Sequence, residues 1–527
     1  MQTLVLSRSS SATALKSDVE EITRQLVGEE LLVLAPFSVA GDRVSSVVID
    51  SHNNESVLDA IKSRKIRNLK RVVLSGFERE EVLPIELVAE LFSYGVDAIN
   101  GLYDSVIARY APFKNAESTS LLVFPGTLLP LNMGSHQRAF LLLAALNYAG
   151  YFTDVIITGG NQHAINRSKR LLLSIAPRVF TYKNNKRKLP DYLWLRRESE
   201  RLLRRRFLKK SDVPELFADR YSNKATESLK KTLAKLQEQH EYRNIIVSYA
   251  WMSRCLEYIS EQNLQGVKLI CDTHDVQYMR NASSNKLEKR YFAFSGADAW
   301  LEKKVLAKYD HVLAISKSDV DELKKVNAIK NKALLVTSAF DYALKKPRRI
   351  GHKSILNFGF IGGGMDANVR ALLFILKNWW PKIASYSPGS QFFIAGSVCK
   401  NDAIIEASFF DESVVRLGFV DNIAEFYDRI DVALNPVLVQ GGLNFKSVEA
   451  VMAGKLLITN ELGAKCLGDS DIASIADSSE EFLSVLKEFE LLSPNAAYEL
   501  LHTRQQKALS EFGEQTAYSQ LKRVLAV

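Results

Sequence analysis

A lysine and a glutamate three residues apart, Lys446 and Glu449, follow a pair of glycines, Gly441 and Gly442, in the stretch DVALNPVLVQGGLNFKSVEAVMAGKLLITN (residues 431–460). Spacing of three puts both side chains on one face of a helix, while Val448, Val451 and Met452 turn to the core. A cation beside bare backbone N–H groups suits a phosphate, and a carboxylate within reach suits a vicinal diol such as a ribose. An apolar run precedes the glycines and another follows Gly454, so the segment reads as strand, glycine loop, helix, strand. That is the layout of a parallel α/β unit whose helix start faces a ligand. The chemistry it suits is nucleotide binding.

A second group of polar side chains lies in CDTHDVQY (271–278), where Asp272, His274 and Asp275 follow an apolar run. At the carboxyl end of a parallel strand such residues belong in a crevice between domains. One histidine and two acids also read as a loop network or as a metal-ligand set. Ser248 and Tyr249, ending the preceding strand, are expected to line the same cleft. In ILNFGFIGGGMDANVRALLFILKNWW, Gly362, Gly363 and Gly364 form a strand-to-helix turn with Asp366 as its N-cap. Glycines let backbone approach an anion closely, and the helix start offers unpaired N–H groups. Gly134 and Ser135 open a helix after LLVFPG, and Arg138 on that helix is a candidate second cation. The acid pairs Asp319/Asp321 and Asp469/Asp471 mimic a metal-binding DxD but read as surface charge.

The segment 431–460 resembles the donor-binding motif of retaining, two-domain GT-B glycosyltransferases of family 4 (glycosyl transferases group 1). The resemblance runs from Ser120 to the end of the chain and is strongest over 355–468. It implies that Lys446 contacts a diphosphate and Glu449 the ribose hydroxyls. Gly441, Gly442 and Leu443 would meet the sugar end, with Asn444, Gly362, Gly363 and Gly364 completing the donor site. The implied catalytic set is His274, Asp272 and Lys446. The implied acceptor side is Gly134, Ser135, Arg138, Ser248, Tyr249 and Asp275. Many family members carry a further glutamate eight residues before the ribose glutamate; here that position is Gly441. The implied reaction moves a sugar from a nucleotide-diphosphate donor to a hydroxyl of a glycan or glycolipid, with retention and without metal or other cofactor. Two alternatives stand beside it: a catalytically degenerate binding or scaffold protein, and a sugar-nucleotide epimerase.

The elements that must position these residues fall into an α/β pattern. Residues 1–115 alternate short apolar runs with helical patterns and form an accessory α/β module without a chemical motif. Residues 116–348 are the expected acceptor-side domain, 349–510 the donor domain, and 511–527 a helix crossing back to the first of these two Rossmann-like domains. With 527 residues, 47% hydrophobic and 24% charged, the composition is that of globular protein. Four widely spaced cysteines fit a reduced compartment, and the start of the chain does not read as a signal peptide, so a cytoplasmic location is expected. The net charge of +9 concentrates in RRESERLLRRRFLKK (196–210). That stretch suits an anionic membrane surface on the inner face of the cell membrane, a polyanionic acceptor, or a solvated helix with one packed stripe. No aromatic-interleaved basic motif accompanies it, which argues against nucleic acid.

Overall fold

The computed structural model describes residues 2–27, 29–40, 44–48, 56–57, 60, 69–78, 81, 83, 87–88, 91–92, 96–110, 118–131, 133–182, 217–287, 295–337, 346–348, 355–420, 423–439, 441–468 and 471–526. The basic stretch 196–210, Asp469 and most of the helical patterns expected over 55–65 and 85–94 lie outside the described residues.

Three sheets follow one another along the chain. The first holds β1 (Gln2–Ser7), β2 (Glu30–Ala35), β3 (Val44–Val48), β4 (Leu69–Ser75), β5 (Ala98–Tyr103) and β6 (Val106–Arg109) in the order β3-β2-β1-β4-β5-β6. It is parallel except for the β5–β6 hairpin. The second holds β7 (Ser120–Phe124), β8 (Thr153–Thr158), β9 (Val179–Tyr182), β10 (Asn244–Ser248), β11 (Lys268–Asp272), β12 (His311–Ala314) and β13 (Ala333–Leu335), ordered β13-β12-β11-β10-β7-β8-β9. The third holds β14 (Phe358–Ile361), β15 (Phe392–Ala395), β16 (Val414–Gly418), β17 (Val432–Leu434), β18 (Leu456–Thr459) and β19 (Ser474–Ile475), ordered β16-β15-β14-β17-β18-β19. Both of these sheets are parallel throughout.

The apolar runs explain this. Every residue of β7, β8, β15, β17 and β18 is buried, as parallel strands covered on both faces require. In each sheet the order reverses beside the first strand, at β7/β10 and β14/β17, and the crevice at the carboxyl ends there is where α/β sheets hold ligands.

Seven helices matter to the argument: α1 (Ala12–Gln25), α2 (Gly134–Tyr148), α3 (Gln277–Leu287), α4 (Asp366–Phe374), α5 (Phe445–Met452), α6 (Pro494–Phe512) and α7 (Glu514–Ala526). The first sheet docks on the second through Phe92, whose ring meets Phe140 of α2 edge-on at 5.9 Å, and through an Arg167–Asp97 ion pair. Helix α6 packs on the third sheet's unit, where Gln505 donates to the Met452 carbonyl. Helix α7 returns to the second: Tyr518 stacks on Tyr148 at 5.1 Å, and Lys268 Nζ donates to the Leu525 carbonyl at 3.0 Å.

Two local readings are corrected. Met365, not Asp366, is the N-cap of α4, and Asp366 is its first residue, paired with Arg370 one turn on. Asp319 is buried rather than at the surface, because its short helix packs on the core through the face that also carries Val320 and Leu323. The four cysteines are free and buried. Among the described residues no helix is long and apolar enough to cross a membrane, and no group of three His, Cys, Asp or Glu is placed to hold a metal ion.

Candidate functional site

The third sheet positions the expected donor residues. Helix α5 starts after Asn444 and stops at Ala453, where Gly454 takes a left-handed φ of +71°. Its apolar face is buried, and Asn435 at the end of β17 holds Ser447 with an Nδ2–H···Oγ bond of 2.5 Å. Lys446 is half-buried. Its Nζ donates to Asn368 Oδ1 at 2.8 Å and sits 4.1 Å from the Phe360 ring centroid. Asn368 Nδ2 in turn donates to the Gly363 carbonyl at 3.0 Å. One asparagine therefore ties the glycine turn before α4 to the lysine of α5. Loss of water around the ammonium pulls the Lys446 pKa down to about 7, with Glu449 pulling it back up.

The glycine turn has its own support. Gly364 N–H donates to Ser397 Oγ at 2.9 Å, and Val398 N–H to the Gly362 carbonyl at 3.2 Å. A Cβ at Gly396 would lie 2.2 Å from that carbonyl oxygen, so only glycine fits there. Neither Asn368 nor Gly396 was singled out in the sequence. Asn368 sits two residues into the α4 helix and Gly396 directly after β15, positions that a search for support of the turn would find.

The second sheet supplies the opposite wall. Arg138 of α2 is 1% exposed and Asp272, at the end of β11, is 0% exposed. Arg138 Nε and Nη2 donate to Asp272 Oδ1 at 3.0 and 2.8 Å, and Nη1 donates to the carbonyls of Val336 and Thr337. Burial works against the Asp272 carboxylate, yet Arg138 and His274 outweigh it and hold its pKa well below the usual range. Arg138 and Asp272 thus lie behind the cleft wall, and Arg138 is a support for Asp272 rather than a cation facing the cleft.

His274 stands in front of them, with Nε2 3.1 Å from Asp272 Oδ2 but off hydrogen-bond alignment. Its ring stacks on Tyr249 at 4.2 Å and 10°. Both residues have positive φ, +56° for His274 and +66° for Tyr249. Two neighbouring non-glycine residues in that region mark backbone strain held by the surroundings, a feature that clusters at functional sites. Burial, with Asp275 adding to it, raises the Tyr249 phenol above its ordinary range. Ser248 is fully buried at the end of β10, below Tyr249. His136, which the sequence did not single out, is 7% exposed and lies with its Nδ1 3.0 Å from the Pro130 carbonyl. Burial lowers its pKa.

The two walls touch. Gln137 Nε2 donates to Glu449 Oε1 at 3.1 Å, joining α2 to α5. A Cβ at Gly134 would lie 2.8 Å from Phe445 Cδ2, so the glycine at the start of α2 admits the phenylalanine that starts α5. Gly442, at φ +59°, would put a Cβ 2.8 Å from the His274 carbonyl oxygen. The glycine loop and His274, read separately in the sequence, are brought into contact. Leu443 is buried behind this loop.

Residues 356–488 match the family described as Glycosyl transferases group 1. This group 1 match spans both glycine loops, Lys446 and Glu449. A protein of Klebsiella pneumoniae, described as an uncharacterized 42.6 kDa protein in cps region, is 30% identical over 82 residues. That alignment takes in 16% of this chain and about a fifth (22%) of the relative's length. Among solved structures, the fold is shared with Anabaena HepE in complex with UDP and glucose (13% identity, 78% of this chain, 100% of that chain, TM-score 0.53). It is also shared with sucrose-phosphate synthase from Thermosynechococcus elongatus (12%, 78%, 98%, TM-score 0.55). A mutant of S. aureus TarM in complex with fondaparinux, alpha-GlcNAc-glycerol and UDP aligns over 78% of this chain and 100% of its own, at 11% identity and TM-score 0.51. The fold is GT-B, and with the group 1 match it supports a GT-B glycosyltransferase.

Proposed function

We propose that the chain transfers a hexose from a nucleotide-diphosphate donor to a hydroxyl of a glycan or glycolipid acceptor, with retention and without a metal. The observation that carries this reading is the Lys446–Asn368–Gly363 chain, which joins a cation, two helix starts and a glycine turn in one place. Such a site neutralises a departing diphosphate: charge-assisted donors and helix termini stabilise the negative charge that develops on the leaving group. Glu449 is 7% exposed and holds the ribose hydroxyls in exchange for Gln137. The acceptor hydroxyl attacks from the face the nucleotide leaves, and the departing phosphate takes its proton. No side chain then forms a covalent intermediate, in keeping with Gly441 where an acid is common in the resembled family. His274 orients the acceptor or sugar, and closure of the walls excludes water. The UDP named in the HepE and TarM structures makes uridine the first base to test. The cps-region name of the K. pneumoniae relative favours surface polysaccharide synthesis, and the setting proposed for it is cytoplasmic.

The test is release of nucleotide from UDP-, GDP-, ADP-, CMP- and dTDP-sugars in EDTA, with and without glycan acceptors, followed by the product's anomeric configuration. Acceptor-dependent release with retention supports the reading. Release without acceptor supports hydrolysis or epimerase chemistry instead, and binding without release supports a scaffold.

A further inference from the structure

A pocket of about 460 Å³ opens at the carboxyl ends of β7 and β10, the switch point of the second sheet. Helix α2 lines it with Ser135 and His136, and the next residue, Gln137, reaches across to Glu449. The charged groups on its wall are engaged: Arg280 of α3 binds Asp275 Oδ2 at 2.9 Å, and Arg220 donates to Gln277 Oε1 at 3.1 Å. The hydroxyls of Ser135 and Tyr249 bond to each other. Thr127 brings a hydroxyl that donates or accepts, and Trp251 an indole N–H that only donates.

His136 differs from all of these. It is 7% exposed and stands in the first turn of α2, with its ring held at two points. Nδ1 lies 3.0 Å from the Pro130 carbonyl oxygen, and the ring meets Phe124 edge-on at 6.0 Å. A carbonyl oxygen only accepts, so Nδ1 carries the hydrogen and, in the neutral ring, Nε2 carries a bare lone pair. Burial lowers the pKa of this ring, with His274 adding to the effect, so the ring is neutral at pH 7. Among the described residues Nε2 has no hydrogen-bond partner, and its lone pair is left to the pocket. The partner of Nδ1 is a neutral carbonyl and not a carboxylate, so nothing beside it stabilises an imidazolium. Such a ring takes a hydrogen bond and leaves the proton where it was.

We propose that His136 is an acceptor-binding and specificity-determining residue: its Nε2 receives the hydrogen bond of an uncharged sugar hydroxyl in this pocket. An ionised carboxylate or phosphate at that place would set lone pair against lone pair. A methyl ether, or a sugar lacking the hydroxyl, would leave Nε2 unpaired in a buried site, and buried sites discriminate strongly on that ground. The hydroxyl keeps its proton, so His136 fixes the sugar's orientation without entering the transfer itself. Calling this sugar the acceptor rests on the glycosyltransferase reading; the tautomer of His136 and its preference for a hydroxyl do not.

The experiment begins with nitrogen NMR of the histidine-labelled full chain at neutral pH, with the His136 signals assigned by their loss in His136→Asn. The expected state is a protonated Nδ1 and a bare Nε2, with the Nε2 signal moving when methyl glucoside, methyl galactoside or methyl N-acetylglucosaminide is added. The thermal shift of each protein with sugar nucleotides is recorded alongside. Asparagine keeps a donor near the Pro130 carbonyl but puts nothing where Nε2 stood, whereas glutamine places an amide oxygen there. His136→Asn should therefore bind the responding glycoside about tenfold or more weakly and raise its KM as an acceptor by the same factor, with the donor shift kept. His136→Gln should recover most of that loss. The reverse order, rescue by asparagine and not by glutamine, marks a residue that only anchors Pro130 and overturns the proposal. A proton on Nε2, or an Nε2 signal that none of the glycosides moves, overturns it as well. A glycoside-dependent change at Nε2 in a chain that shows no donor shift upholds the pocket and overturns the glycosyltransferase reading instead.

Discussion

If Lys446 holds the donor as proposed, donor binding should be a proton-coupled event, and the size of the effect follows from its surroundings. Desolvation lowers the ammonium to a pKa of about 7 in the free protein, so near neutral pH it is protonated in only about half the molecules. A diphosphate beside it restores the charged form and returns its pKa toward the ordinary lysine range. Binding therefore takes up a proton, and affinity falls as pH rises through the free-state pKa. With a shift from about 7 to about 10, the dissociation constant weakens by roughly 30-fold between pH 6 and pH 8.5, or about 2 kcal/mol. The assay is isothermal titration with whichever sugar nucleotide binds, whose diester phosphates do not titrate in this range. Buffers of different ionisation enthalpy at pH 8 should report uptake of about 0.9 proton per donor, falling to about 0.1 at pH 6. His136, lowered by burial, is neutral between pH 7 and 8.5 and does not contribute there. Lys446→Met should bind weakly and without pH dependence. Affinity that stays flat or rises from pH 7 to 8.5 refutes the reasoning.

Other outcomes follow from the same packing. Arg138→Ala leaves the Asp272 carboxylate buried without its cation, and should cost about 3–5 kcal/mol of stability, read as a lower denaturation midpoint. Gly442→Ala must relieve both a left-handed φ and a 2.8 Å approach to the His274 carbonyl, so transfer should fall by about tenfold or more. Gly441→Ala meets only ordinary contacts with Arg280 and should leave the thermal midpoint unchanged. Burial raises Asp319 to about 7, above its unfolded value, so its folded form binds the extra proton and its contribution to stability is lost as pH rises from about 4 to about 7. Asp319→Asn should therefore gain in thermal midpoint over the unmodified chain as pH rises from 5 to 8, and an equal difference at both pH values contradicts this.

Much of the layout of the candidate donor wall was legible because its signals are local. Gly441, Gly442, Lys446 and Glu449 lie within nine positions, and the apolar runs at 432–434 and 456–459 are strands in the structure. The same holds for Gly362, Gly363 and Gly364 between β14 and α4. What the sequence hid depends on contacts between distant segments. Nothing near Arg138 announces that its partner is Asp272, 134 residues away, or that this pair supports the wall instead of facing the ligand. Asn368 reads as an ordinary helix residue until Lys446 arrives beside it from 78 residues on. Asp319 looked exposed because one capped helical turn gives no sign of which face is buried. The pairing of Gly441 with Arg280 joins two segments about 160 residues apart, so the glycine read only as a missing acid.

The central claim is that Lys446 and Glu449 hold a sugar nucleotide. It is tested most directly by the thermal shift of the unmodified chain, Lys446→Ala and Glu449→Ala against UDP-, GDP-, ADP-, CMP- and dTDP-sugars in EDTA. The account predicts a stabilising shift of the unmodified chain with one nucleotide class, and affinity weakened by about tenfold or more in each variant. The same shift in all three proteins, or none in the unmodified chain, contradicts it.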